Sequence, residues 1–297
     1  MTETTTVEAP GPGTGPGARP VPASRRRAPA PLRAVARYAA VVPFSVYVVL
    51  GLVLPMIEVV RGAFQDPTSG ALTTANLSTA VHGAYLTGFE NSLLLSLICS
   101  VIPGILGFLI AYAIFTAKKA SLLRQVVITV SGVFANFGGV PLAFLFVSSL
   151  GSTGLITGWL SDIGLNIYNM GFTLYTMSGV ALVYMYFQVP LMVLIILPAL
   201  EGLRPSWREA AENLGARSWQ YWRYVGGPVL APSLLGCVLL LFGSAMSAYA
   251  TAEALTSGTI ALTSIQIGSF LNGNVLAGQE NVGKALGVGM VVIIAVI

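Results

Sequence analysis

The chain has 297 residues, of which 55% are hydrophobic and only 9% charged, with a formal net charge of +4. Soluble domains carry about 25% charged residues, so this composition leaves too little polar surface to coat a globule, and length counts membrane spans instead of soluble domains. The positive charges cluster beside apolar runs, which assigns them to topology and gives no reason to invoke nucleic acid.

Residues 1–37 are rich in Pro, Ala, Gly and Thr without apolar periodicity, the signature of a disordered tail. Arg25, Arg26, Arg27, Arg33 and Arg37 close it, and an apolar run follows from Tyr38 to about Val60. That run is too long for a signal-peptide core and no cleavage site follows, so it reads as an uncleaved first span. Further spans are expected at 89–116, 122–148, 173–200, 228–252 and 281–297, the last short enough to suggest a truncated end.

The charges sort by side. One side holds the arginine-rich tail, the turn with Lys118, Lys119 and Arg124, and the loop with Arg204, Arg208, Arg217 and Arg223. The segments 62–88, 149–172 and 253–280 contain no Lys or Arg and carry Asp66, His82, Asp162, Glu253 and Glu280. This positive-inside pattern puts the N-terminus and the 201–227 loop in the cytoplasm. The expected fold is all-α: a polytopic protein of the cell inner (plasma) membrane with six transmembrane helices and both ends inside.

Cys99 and Cys237 lie in apolar runs and read as small buried hydrophobes. With His82 the lone histidine, neither a metal site nor a cofactor is expected. Asn76-Leu77-Ser78 matches a glycosylation tripeptide too common to assign.

The densest run of charge in the second half lies between Glu201 and Gly215. Pro205 approaches a helix, Ser206 is a natural N-cap, Glu209 stands three residues on as its capping-box partner, and Gly215 is a natural stop. Ala210 and Ala211 offer a surface without bulk. From Arg217 to Val225, Trp219, Tyr221, Trp222 and Tyr224 interleave with Arg217 and Arg223, as at a membrane interface. These residues alone fit either a well-capped connector or a docking surface.

Glu209-Ala210-Ala211, three residues, Gly215, nine residues and Val225-Gly226-Gly227-Pro228 resemble the EAA signature of binding-protein-dependent ABC importer permeases. Val225 replaces the family's Ile conservatively, and Gly227 stands where Leu is expected. Asn91-Ser92-Leu93, Ala111-Tyr112-Ala113 and Pro198-Ala199-Leu200-Glu201 also look like that family, and the similarity covers about 87–297. The resemblance implies a tail (1–37), a first helix with its outer loop (38–86), and a permease domain (87–297) whose EAA loop spans 201–228. It also implies that Glu209, Ala210, Ala211, Gly215 and Ser206 form a coupling helix seated on a separate ATPase, with Glu209 meeting a basic group there. The implied partners are two ATP-binding subunits, a second permease (an identical copy or a paralogue), an extracytoplasmic solute-binding protein and membrane lipid. The chain itself is then no enzyme.

Gly278 to Ala285 nearly matches a phosphate-binding loop, but Ala285 replaces the metal-binding hydroxyl and no strand precedes it. Polar groups in apolar spans are the remaining clues, because burying them in lipid is costly. Asn136 with Gly138-Gly139 interrupts the third span, and Tyr184, Tyr186 and Gln188 precede Pro190 in the fourth. Glu253 ends the fifth, and Glu58 lies near the outer end of the first. Asn136, Gln188, Tyr184 and Glu253 are candidate translocation-path residues, with helix–helix packing as the alternative. An ion-gradient carrier would show more intramembrane charge and an inverted repeat, and a membrane enzyme would show a nucleophile–base set. Residues 241–267, including Ala248-Tyr249-Ala250-Thr251, look similar to permeases for polyamines, ferric iron and thiamine, so spermidine or putrescine is the expected solute.

Overall fold

The computed structural model describes residues 41–117, 122–273 and 279–297. The expected tail with its five arginines, Lys118, Lys119 and Gly278 lie outside these residues. The chain divides into two compact units, Met1–Leu54 and Pro55–Ile297. Described residues of the first unit form an apolar helix that widens to a π turn at Val49–Val53. The helix as a whole, α1 (Val41–Ala63), has 23 residues of mean hydropathy 2.0, enough to cross a bilayer.

The second unit is helical. After a tight loop closed by the Gln65–Leu72 bridge comes α2 (Ala75–Ala80). Helix α3 (Gly83–Thr116) has 34 residues. At 1.5 Å per residue it is roughly 50 Å long, which exceeds the ~30 Å hydrocarbon layer. It begins six residues before the expected 89, because Gly83 takes φ +59 and lets the chain turn directly into the helix.

The expected third span is two helices, α4 (Leu122–Asn136) and α5 (Gly139–Leu150), parted at Phe137-Gly138. Gly139 sits at φ +74, a conformation a side chain resists. A short α6 (Leu155–Asp162) follows, then α7 (Met177–Glu201) and α8 (Pro205–Asn213). Helix α9 (Ser218–Ser247) starts ten residues earlier than the expected 228 and ends five earlier than 252. The aromatic–basic stretch read as an interfacial loop is its first two turns. Helix α10 (Ala250–Thr256) runs into the expected outer loop 253–280 and α11 (Thr263–Leu271) lies within it, before α12 (Val282–Val296).

Among the described residues five helical stretches are long and apolar enough to span a membrane, and α4 and α12 are shorter apolar helices. The second unit centres on α3 against α7. Gly107 permits their approach: a Cβ there would lie 2.5 Å from the Met192 Cβ and 2.8 Å from the Val189 carbonyl oxygen. Ala111, Ile114, Met192, Ile196, Leu200 and Leu241 fill one end of this core, and Leu95, Leu142, Leu174, Val183 and Leu262 fill another part.

Candidate functional site

Helix α8 is a nine-residue polar helix on a greasy chain, and none of its residues is fully buried. Its N-cap is Arg204, not Ser206, and no side chain caps it. The expected capping box between Ser206 and Glu209 is therefore absent. Pro205 explains the shift: its fixed φ suits the first helical position and it has no N–H to satisfy, so the helix opens two residues earlier.

The other end matches the expectation. Gly215 lies at φ +80, its N–H donates to the Glu212 carbonyl at 2.9 Å, and the Ala216 N–H donates to the Ala211 carbonyl at 2.9 Å. This pair of bonds is the Schellman closure, which needs a left-handed residue where glycine stands.

The helix is rooted by two apolar groups. Leu203 is buried and Trp207 packs against the end of the α3–α7–α9 core. Ser206, Glu209 and Ala210 are exposed, Ala211 is half-buried, and Leu214 is 88% exposed. Arg208 Nε holds Glu212 at 2.9 Å along the helix, while the Glu209 carboxylate has no ion pair or hydrogen bond among the described residues. Just before α8, Arg124 pairs with Glu201 and ties the start of α4 to the end of α7.

Behind α8, α9 widens into a π turn at Trp222–Gly226. The Gly227 N–H donates to the Trp222 carbonyl, and a Cβ on Gly227 would stand 2.4 Å from that oxygen. The glycine that departs from the motif's Leu is thus the residue this wide turn demands. Tyr112 meets Trp222 edge-on at 5.4 Å, joining the end of α3 to the start of α9.

The four polar span residues separate into two settings. Tyr184 and Gln188 are fully buried. The Tyr184 hydroxyl donates to the Ala248 carbonyl at 2.5 Å, and Gln188 Nε2 donates to the Leu241 carbonyl at 2.9 Å, so both fasten α7 to α9. Asn136 is exposed where α4 ends, its amide turned back to the Gly132 carbonyl at 2.9 Å. Glu253 is half-buried on α10, with Oε2 enclosed and unpartnered among the described residues. The two breaks that flank these groups are joined, because the Gly139 N–H donates to Thr251 Oγ1 at 2.9 Å.

Sequence reasoning missed several ties. Asn91 Nδ2 donates to the Ala261 carbonyl at 2.9 Å, and Ser92 Oγ accepts the Thr263 N–H at 2.9 Å. These two residues pin the turn between α10 and α11 from 170 positions away, a pairing that spacing along the chain does not show. The resemblance at Asn91-Ser92 was the available signal.

No family model matches the chain. The sulfate transport system permease protein CysT of Escherichia coli is 28% identical over 159 residues, which is 53% of this chain and 54% of that protein. CysW of Synechocystis, also a sulfate transport system permease protein, is 27% identical over 218 residues, covering 72% of each chain. The thiamine transport system permease protein ThiP of Escherichia coli is 29% identical over 174 residues, 57% of this chain and 30% of that protein. Crystal structures of a bacterial alginate ABC importer contain a chain with the same fold. The TM-scores are 0.67 and 0.69 at 21% and 20% identity, over 90% and 89% of this chain and 93% and 92% of those chains.

The chain is similar in sequence to ABC importer permeases and shares the fold of one. The chain matches about half of CysT and less than a third of ThiP, whereas the fold match covers nearly all of both chains. Among the described residues its five long apolar helices suit a membrane protein.

Proposed function

We propose that this permease forms the solute path of an ATP-driven importer and that α8 is its coupling helix, seated on a separate ATPase subunit. One observation carries the reading. Helix α8 is anchored from below by Leu203 and Trp207 while Ser206, Glu209 and Ala210 stay exposed, with Gly215 closing the helix. A rigid polar rod with small residues on its free face suits a close, specific contact, and rooting it in the α3–α7–α9 core lets a push on the rod move the spans. Rocking of spans as bodies is a known route to alternating access.

On this reading the N-terminus and the 201–217 loop face the cytoplasm of a cell inner membrane, as the distribution of Arg and Lys supports. Residues 87–297 are the permease domain. A second permease, two ATPases and an extracytoplasmic binding protein complete the machine; the alginate importer was crystallised with its periplasmic protein. Asn136 and Glu253, beside the joined breaks of α4–α5 and α9–α10, contact the solute path, and Tyr184 and Gln188 brace it from within. The solute is a small molecule delivered by the binding protein. Spermidine or putrescine has no counterpart among the relatives named above, which are permeases for sulfate and thiamine.

The test is co-purification in mild detergent. An ATPase subunit is expected to travel with the wild-type permease and to be lost from Glu209→Lys. If Glu209→Lys keeps both the subunit and solute-stimulated ATP hydrolysis, the coupling assignment is wrong.

A further inference from the structure

Beneath the first turn of α8 is a hollow of about 210 Å³ that the coupling role does not use. Its walls include Tyr112 and Thr116 from the end of α3, Tyr221 and Trp222 from the start of α9, and Arg204 and Arg208 from α8. It is therefore aromatic on one side and cationic on the other.

The two arginines stand one helical turn apart, and of the two only Arg208 has a carboxylate partner among the described residues. Arg204 lies 5.9 Å from the centre of the Trp207 ring and forms no ion pair among the described residues. Arg208 gives its Nε to Glu212 at 2.9 Å, which leaves the Nη groups for another acceptor. The first turn of α8 has no side-chain cap, so its positive end adds to the same field.

The hollow also has a defined depth. Next to it on α9, Arg223 lies 5.7 Å from the Trp219 ring centre and 5.8 Å from that of Tyr224. Aromatic rings with arginines at the end of a span mark the headgroup level of a bilayer.

We propose that the hollow between Arg204, Arg208 and the Tyr112–Trp222 pair is an anion site that takes the phosphate of an anionic phospholipid headgroup. Guanidinium groups suit a phosphate because their planar N–H forks match its oxygens. The aromatic walls receive the glycerol and first methylenes. Because Pro205 also lines the hollow, an occupied site would hold α8 at a set angle to α3 and α9. The inference rests on the membrane placement of α3 and α9 but not on the ATPase assignment, so each can fail without the other.

The test is native mass spectrometry of the full-length permease in detergent, titrated separately with phosphatidylglycerol, phosphatidylcholine and sodium phosphate. The wild type is expected to retain phosphatidylglycerol over phosphatidylcholine. Arg204→Gln with Arg208→Gln should lower that affinity about tenfold, the scale of losing one charged hydrogen bond. Single Arg204→Glu, at an exposed position, should do the same without touching the core. The control pair Arg217→Gln and Arg223→Gln should retain the preference. Sodium phosphate that binds alone, with the same dependence on Arg204 and Arg208, would support the anion site with a soluble source. Equal binding of the two lipids, or a preference unchanged by the Arg204 and Arg208 variants, overturns the proposal. So does a Thr116→Cys cross-link showing the hollow filled by an ATPase subunit.

Discussion

Gln188 donates its Nε2 hydrogen to the main-chain oxygen of Leu241 at 2.9 Å, with no solvent reaching the side chain. One turn earlier on the same stripe of α7, Tyr184 makes the matching bond to Ala248. These two donors hold α9 where it approaches its break, and they show how one polar stripe in an apolar span is put to structural use.

The Gln188 bond is only half of a satisfied amide, because its Oε1 is buried without a partner among the described residues. Removing both halves is then cheap. Gln188→Leu is expected to change stability by about 1 kcal/mol or less, as hydrogen bonds between membrane helices are worth roughly 0.6 kcal/mol on average. Gln188→Glu buries a carboxylate in the same place and should cost about 3 kcal/mol. Thermal unfolding of both variants in one detergent checks the contrast.

At Gly215 the backbone, not a contact, sets the requirement. With φ at +80 any L side chain is strained. Gly215→Val should cost more than the ~1–2 kcal/mol typical of left-handed residues, and Gly215→Asn should cost less. The strain falls on the end of α8, so amide exchange should rise at Leu214–Ala216 while α3 and α7 stay protected.

Gly227→Leu would restore the family's residue at this position and is expected to harm the protein. The added Cβ meets the Trp222 oxygen at 2.4 Å, so the π turn must unwind and Trp222 must move off Tyr112. Overpacking of this kind costs about 1–3 kcal/mol. A blue-shifted or quenched Trp emission together with a lower melting temperature would report it.

What could be read along the chain follows from what is local. The stop at Gly215 and the interruption after Asn136 were legible, since each rests on backbone freedom at one or two residues. The start of α8 was misplaced by two residues because Ser206 and Pro205 both signal a helix entry, and the proline at the first position prevailed. The start of α9 was missed for a different reason. Trp219, Tyr221 and Arg223 lower the hydropathy of a stretch that is nonetheless helical, so an apolar-run criterion begins the span too late. Ties such as Thr251 to Gly139 and Ser92 to Thr263 join distant positions through single hydroxyls, and no periodicity encodes them.

The loop after α1 should respond to acid. Asp66 accepts the Ser69 N–H at 2.7 Å, the Ser69 hydroxyl at 3.0 Å and the Thr68 N–H at 3.0 Å. The Ser69 and Thr68 donors hold its carboxyl below the ordinary range. A depressed folded value means that this contribution is present above the unfolded carboxylate pKa and is lost as pH falls through the folded one. Amide exchange at Thr68 and Ser69, corrected for the intrinsic rate, should therefore be slow at neutral pH and rise only in strong acid. Ser69→Ala should move that rise to higher pH.

The coupling role of α8 depends most on which side of the membrane the helix occupies. The described cysteines, Cys99 and Cys237, are both buried, so an added thiol at exposed Ala210 can be read against a low background. Ala210→Cys in sealed, right-side-out vesicles should be untouched by an impermeant maleimide and should label fully once the vesicles are opened or inverted. Full labelling from outside in the sealed vesicles would place α8 beyond the reach of any cytoplasmic ATPase and contradict the coupling role.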